Sequence, residues 1–151
     1  MALQATRPTP AGWPRISSSL AYQDPVRAID WLVSAFGFSV RIKVPDGSGG
    51  IMHSELTFGE AVVMVAGESS HGASAARSPK SLNGATTQGL FVYVDDIEAH
   101  YTRALAAGAV VVRELATTDY GPEHWSDRGY AVLDPEGQSW HFAQRLRTGA
   151  A

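Results

Sequence analysis

The chain has 151 residues, the length of one ordinary domain, with 44% hydrophobic and 18% charged residues, a composition that excludes disordered, collagenous and coiled-coil chains. Its 12 Lys and Arg stand against 15 Asp and Glu, a formal net charge of -3, so there is no basic stripe to meet phosphates, and nucleic acid or an anionic membrane surface is not the expected partner. Cysteine is absent, which removes disulfides, thiolate nucleophiles and thiolate-bound zinc and leaves any metal to His, Asp, Glu or Gln.

Residues 1–14 carry Arg7 and three prolines but no apolar core of the kind a signal peptide needs, so they read as the tail of a cytoplasmic protein. Nowhere does an apolar run approach the roughly 18 residues of a membrane span. A strand is expected over 15–22. Asp24-Pro25 then opens a helix, because Asp accepts from free N–H groups of the first turn and proline needs no donor there. Val26, Ile29, Leu32, Val33 and Phe36 recur at helical spacing, and Gly37 supplies a left-handed stop. Strands follow at 38–44, 51–58 and 61–66, joined by Pro45-Asp46-Gly47 and Gly59-Glu60 turns. The small, polar stretch 67–88 suits a surface linker. A second strand–helix pair begins at 89–94 and Asp95-Asp96, with Ile97, Tyr101, Ala104 and Leu105 as the apolar stripe and Gly108 as the stop. Strands at 109–114, 128–133 and 139–144 complete the chain. The polar segment 116–127 between the first two reads as a long loop, placed where a lid over a pocket would be.

Laying Asp95 on Asp24 also superposes Ala99 on Ala28, Ala106 on Ala35, Gly108 on Gly37 and Val111 on Val40, so the chain is internally duplicated. The βαβββ duplication resembles the vicinal oxygen chelate superfamily of glyoxalases, bleomycin-resistance proteins and extradiol dioxygenases. Met52-His53-Ser54-Glu55-Leu56, Val62-Val63-Met64, Val92-Tyr93-Val94-Asp95-Asp96, Tyr120-Gly121 and Asp134-Pro135-Glu136-Gly137 with Trp140 are similar to its PhnB-like branch. The resemblance covers 15 to about 146. It implies an α+β fold of two tandem βαβββ modules, 15–66 and 89–146, forming a curved mixed sheet around a cavity, with a short tail at 147–151. A homodimer is also implied, the cavity often being completed across the interface.

In metal-dependent relatives, four ligands come from the first and fourth strands of each module. The resemblance puts those positions at Ser17, Met64, Gly89 and His141. Only His141 is a good ligand, so no metal is expected in the usual place and no other cofactor is implied. His53 and Glu55, two apart on one strand, share a face and are a displaced alternative with His141, or else a half-buried polar pair that fixes the sheet. In 139–143 the alternation puts Trp140 and Phe142 under a helix and turns His141 into the cavity, as a ligand contact, a general base, or a satisfied buried histidine. Met64 makes that cavity apolar and adaptable. Tyr120, Trp125 and Tyr130 are candidates for stacking on an aromatic ligand, with core packing as the alternative. Arg128 would bind a carboxylate or pair with Glu123 or Asp127. His71 and His100 read as solvated, and His124 as a lid residue. No phosphate-binding loop or serine elbow is present. The expected function is metal-free binding of a small aromatic or drug-like molecule. The alternative is a lyase, isomerase or dioxygenase with a displaced metal or with His141 as base.

Overall fold

A computed structural model describes residues 5, 7–69 and 75–149; the expectation for His71 lies outside these. The first module runs β1 (Ser18–Tyr22), α1 (Pro25–Phe36), β2 (Ser39–Pro45), β3 (Ile51–Phe58) and β4 (Ala61–Gly67). After a short 3-10 turn at Pro79–Leu82, the second module repeats the order: β5 (Gly89–Tyr93), α2 (Ile97–Ala106), β6 (Val110–Asp119), β7 (Ser126–Leu133) and β8 (Ser139–Arg147). Each module builds its own four-stranded sheet, ordered β1-β4-β3-β2 and β5-β8-β7-β6. The β1/β4 and β5/β8 pairs are parallel and the rest antiparallel, because each crossover helix returns its strand in the same direction.

Both helices start as their sequences dictate. The Asp24 side chain accepts from the Arg27 N–H at 3.0 Å, and the Asp96 side chain accepts from the Ala99 N–H at 3.0 Å. Helix α1 stops at Gly37, whose φ of 82° is the left-handed conformation that glycine adopts without strain.

The helices pack on each other and on the inner faces of both sheets. Phe36, at the end of α1, is fully buried, with ring centroids 5.3 Å from Trp140 and 4.7 Å from Phe142 on β8. The alternating aromatics of β8 therefore do pack under helix, and both helices take part: the Phe142 ring centroid lies 4.2 Å from that of His100 on α2 as well as against Phe36 of the other module. Polar bonds repeat this crossing: Trp31 Nε1 donates to the Ala107 carbonyl at 2.8 Å and Arg103 Nε to the Ser34 carbonyl at 3.0 Å. A buried knot closes the join. Asp134 accepts from Tyr22 Oη (2.6 Å) and Trp140 Nε1 (3.2 Å), while Glu136 accepts from the backbone N–H groups of Gln23 (2.7 Å) and Asp24 (2.9 Å) and from Ser78 Oγ (2.6 Å).

Two expectations are corrected. The segment 116–127 is a hairpin rather than a long loop: β6 runs on to Asp119, β7 begins at Ser126, and the Tyr120 N–H donates to the Trp125 carbonyl at 2.9 Å. Its polar composition reflects a hairpin exposed over much of its length, and Thr117 and Thr118 are good strand formers. His100 is buried rather than solvated, 8% exposed. It stands three residues after Ile97 and four before Ala104, on the buried stripe of α2.

Candidate functional site

Each sheet turns one face to the shared helical layer and the other away from it, and the outward faces collect the polar and aromatic side chains. On the first sheet, Ser19, Met64, Glu55 and Ile42 form one cross-strand row. A register shift between Val40 and Ile42 frees Arg41 to fold back, where its Nε donates to Glu55 at 2.7 Å. The other Glu55 oxygen lies 3.0 Å from His53 Nε2. The hydrogen bond with His53, joined by Arg41 and opposed by partial desolvation, holds the Glu55 carboxyl below its ordinary range. Arg41 also donates to the Gly12 carbonyl at 2.5 Å and lies 4.8 Å from the Trp13 ring centroid. The N-terminal strap is thereby pinned beside the same face. Ser17 precedes β1, and its hydroxyl is buried with no partner among the described residues.

The outward face of the second sheet has two rows. Phe91, His141, Ala131 and Arg113 make the first, and Tyr93, Ala143, Gly129 and Ala116 the second. Ala131 and Ala143 are each 2% exposed, whereas Phe91 is 55% and Tyr93 49% exposed. The result is a smooth floor of small residues beside an aromatic wall. At one end Arg145 lies 5.1 Å from the Tyr93 ring centroid and 5.4 Å from that of Trp125, and Asp127 fixes it at 2.5 Å. Tyr120 adds its ring 5.0 Å from Trp125. At the other end, partial burial and then the Arg113 charge hold the His141 imidazole below its ordinary proton affinity.

The fold thus brings Met64, His53 and Glu55, with Ser17 beside them, to one sheet, and His141, Tyr120 and Trp125 to the other. Within one chain the His53–Glu55 pair and His141 do not meet. Arg128 reaches neither face: its Nε donates to Glu98 of α2 at 2.6 Å, so Glu98 takes the place expected for Glu123 or Asp127. Tyr130 is fully buried under α2. The His124 ring stands 6.1 Å from Trp125 at the hairpin tip. Phe91, Tyr93, Arg113 and Arg145 were missed, and Asp127, expected as a partner for Arg128, pairs with Arg145 instead; the alternation Gly89-Leu90-Phe91-Val92-Tyr93, parallel to 139–143, is the signal that places the first two beside His141.

A hydroxyl at Ser17, a thioether at Met64, no side chain at Gly89 and an imidazole at His141 do not make the hard donor set a divalent ion needs. Among the described residues no three His, Asp or Glu side chains converge.

The sequence pattern of the Glyoxalase/Bleomycin resistance protein/Dioxygenase superfamily matches residues 15–142. The chain belongs to that superfamily. It is 33% identical over 135 residues to the uncharacterized protein Mb0911c of Mycobacterium bovis, an alignment covering 89% of this chain and 85% of the other. Among solved structures, TioX from Micromonospora sp. ML1 aligns with a TM-score of 0.68 at 34% identity, over 88% of this chain and 99% of that one. A glyoxalase/bleomycin resistance protein from Streptomyces sp. CB03234 shares the fold alone, with a TM-score of 0.61 at 19% identity over 85% and 97% of the two chains. No helix among the described residues is long and apolar enough to cross a membrane.

Proposed function

We propose that this protein binds a small, planar aromatic or drug-like molecule without a metal ion, in a cavity formed where the outward face of the first sheet in one copy meets the outward face of the second sheet in another. The observation that carries this reading is the second-sheet face itself, a floor of Gly129, Ala131 and Ala143 walled by exposed Phe91 and Tyr93. One chain leaves that wall in solvent, and Ile42 on the first sheet is likewise 45% exposed. Apolar side chains gathered on a face in this way mark an interaction surface. The same reading takes the protein as a cytoplasmic homodimer of the PhnB-like branch, on its His53-Ser54-Glu55 and Asp134-Pro135-Glu136-Gly137 motifs.

The test is thermal unfolding with 2-naphthamide, in buffer with and without EDTA. Ligand at about 100 times its Kd adds about 2.7 kcal/mol to the folded state, which for a chain of this size raises Tm by roughly 5–10 °C. The expected shift is unchanged by EDTA. A shift that EDTA abolishes contradicts the metal-free reading, and no shift with any aromatic compound contradicts binding altogether.

A second reading rests on the His53–Glu55 pair. An imidazole oriented by a carboxylate is the arrangement of a general base, and His141 from a second copy would supply another. This enzyme reading requires a turnover that His53→Gln or His141→Gln removes while 2-naphthamide binding is kept.

A further inference from the structure

The second-sheet face has a polar end that an aromatic wall alone does not explain. In the row Phe91, His141, Ala131, Arg113, the two polar side chains flank a single methyl group. They are two strands apart, about 10 Å at the backbone. The register thus sets an imidazole on one side of Ala131 and a guanidinium on the other. The remaining three arginines of this sheet each have a carboxylate partner: Arg128 has Glu98, Arg145 has Asp127 and Arg147 has Asp119. Among the described residues Arg113 has no ion pair and no side-chain hydrogen bond. The adjacent acid, Glu114, is turned to the other side, where it accepts from Tyr101 of α2. The Arg113 charge is nonetheless felt at the His141 ring.

An unpaired guanidinium and an imidazole on the same row of one sheet face are complementary to a planar anion: the fork offers paired N–H donors and the ring one more, which a carboxylate between them would accept. On this sheet a ligand ammonium at the same place would be repelled by the Arg113 charge. We infer that the Arg113–His141 end binds the carboxylate of an aromatic acid whose ring lies over Ala131, Ala143 and Gly129 against Phe91. The inference rests on the aromatic-binding reading and adds the charge and orientation of the ligand.

Isothermal titration of the full chain with 2-naphthoate and with its neutral partner 2-naphthamide tests it. The acid is expected to bind about tenfold or more tightly than the amide, the scale of one charge-assisted hydrogen-bond pair. Arg113→Gln removes that preference by weakening the acid far more than the amide, Arg113→Lys keeps part of it, and His141→Gln reduces it. Arg113 is exposed, so its replacement leaves the core untouched. Equal affinities for acid and amide in the wild-type protein, or a preference that survives Arg113→Gln, overturn the assignment while aromatic binding stands. Failure of both compounds to bind overturns the assignment together with the reading beneath it.

Discussion

Asp134→Ala is expected to lower the free energy of unfolding by about 3–5 kcal/mol, a large share of the stability of a domain this size. The carboxylate is 3% exposed and accepts from four donors: Tyr22 Oη, Trp140 Nε1 and the backbone N–H groups of Glu136 and Gln138, the last two at 3.0 Å each. Alanine leaves all four without an acceptor, each at a cost of about 1–3 kcal/mol less whatever water recovers. Burial raises the Asp134 proton affinity, and its hydrogen bonds pull the other way. With the folded-state pKa raised, the native state holds the proton more tightly than the unfolded chain. The Asp134 contribution is therefore greatest at low pH and declines as pH rises through the raised value, so the loss on Asp134→Ala is expected to be smaller at pH 7 than at pH 4. Asp134→Asn keeps the volume and two backbone bonds and is expected to cost less. Urea unfolding followed by tryptophan fluorescence measures both; a loss under 1 kcal/mol for Asp134→Ala contradicts the role of this turn as the bolt between modules.

Stability is expected to fall as pH drops below about 6.5, and His100→Gln is expected to remove a large part of that fall. His100 Nε2 lies 3.1 Å from the Phe36 carbonyl and so carries the hydrogen, leaving Nδ1 to accept from Tyr130 Oη at 2.6 Å. Both nitrogens are satisfied only in the neutral ring. Burial lowers the proton affinity of His100, the Phe36 bond opposes this, and the nearby Arg103 adds to it. The unfolded chain accordingly binds more protons than the native one between the ordinary histidine value and the lowered one. Stability is lost in that window as pH falls, by up to about 1.4 kcal/mol per pH unit for one group. Equilibrium unfolding at pH 7.5, 6.5 and 5.5 reads the slope, and an identical slope in wild type and His100→Gln contradicts this assignment.

What was legible in the sequence was local. Asp24-Pro25, Gly37 and the apolar spacing between them give α1 its bounds, and the alternation of Trp140, His141 and Phe142 gives which side of β8 is buried. The duplicated order follows from such signals repeated. What was not legible depends on partners distant in sequence. His100 reads as solvated because its acceptor, the Phe36 carbonyl, belongs to the other module. The turn 134–137 reads as a turn, but nothing near it announces that Tyr22, Gln23, Asp24 and Ser78 come to it. Arg113 becomes a site residue only through register, since Ala131 and His141 follow it across two strands. Spacing also cannot reveal that His53 and His141 sit on faces turned away from each other.

The central claim is that one binding site needs the first sheet of one copy and the second sheet of another. Complementation tests it most directly. Met64→Asp damages the first-sheet face and Phe91→Asp the second; each variant alone is expected to lose 2-naphthamide binding. When the two are co-expressed and the mixed dimer is isolated, one of its two sites has both faces intact. Binding at wild-type affinity with one molecule per mixed dimer is the result this account predicts. A mixed dimer that binds no better than its parents, or a monomeric wild-type chain that binds with full affinity, would contradict it.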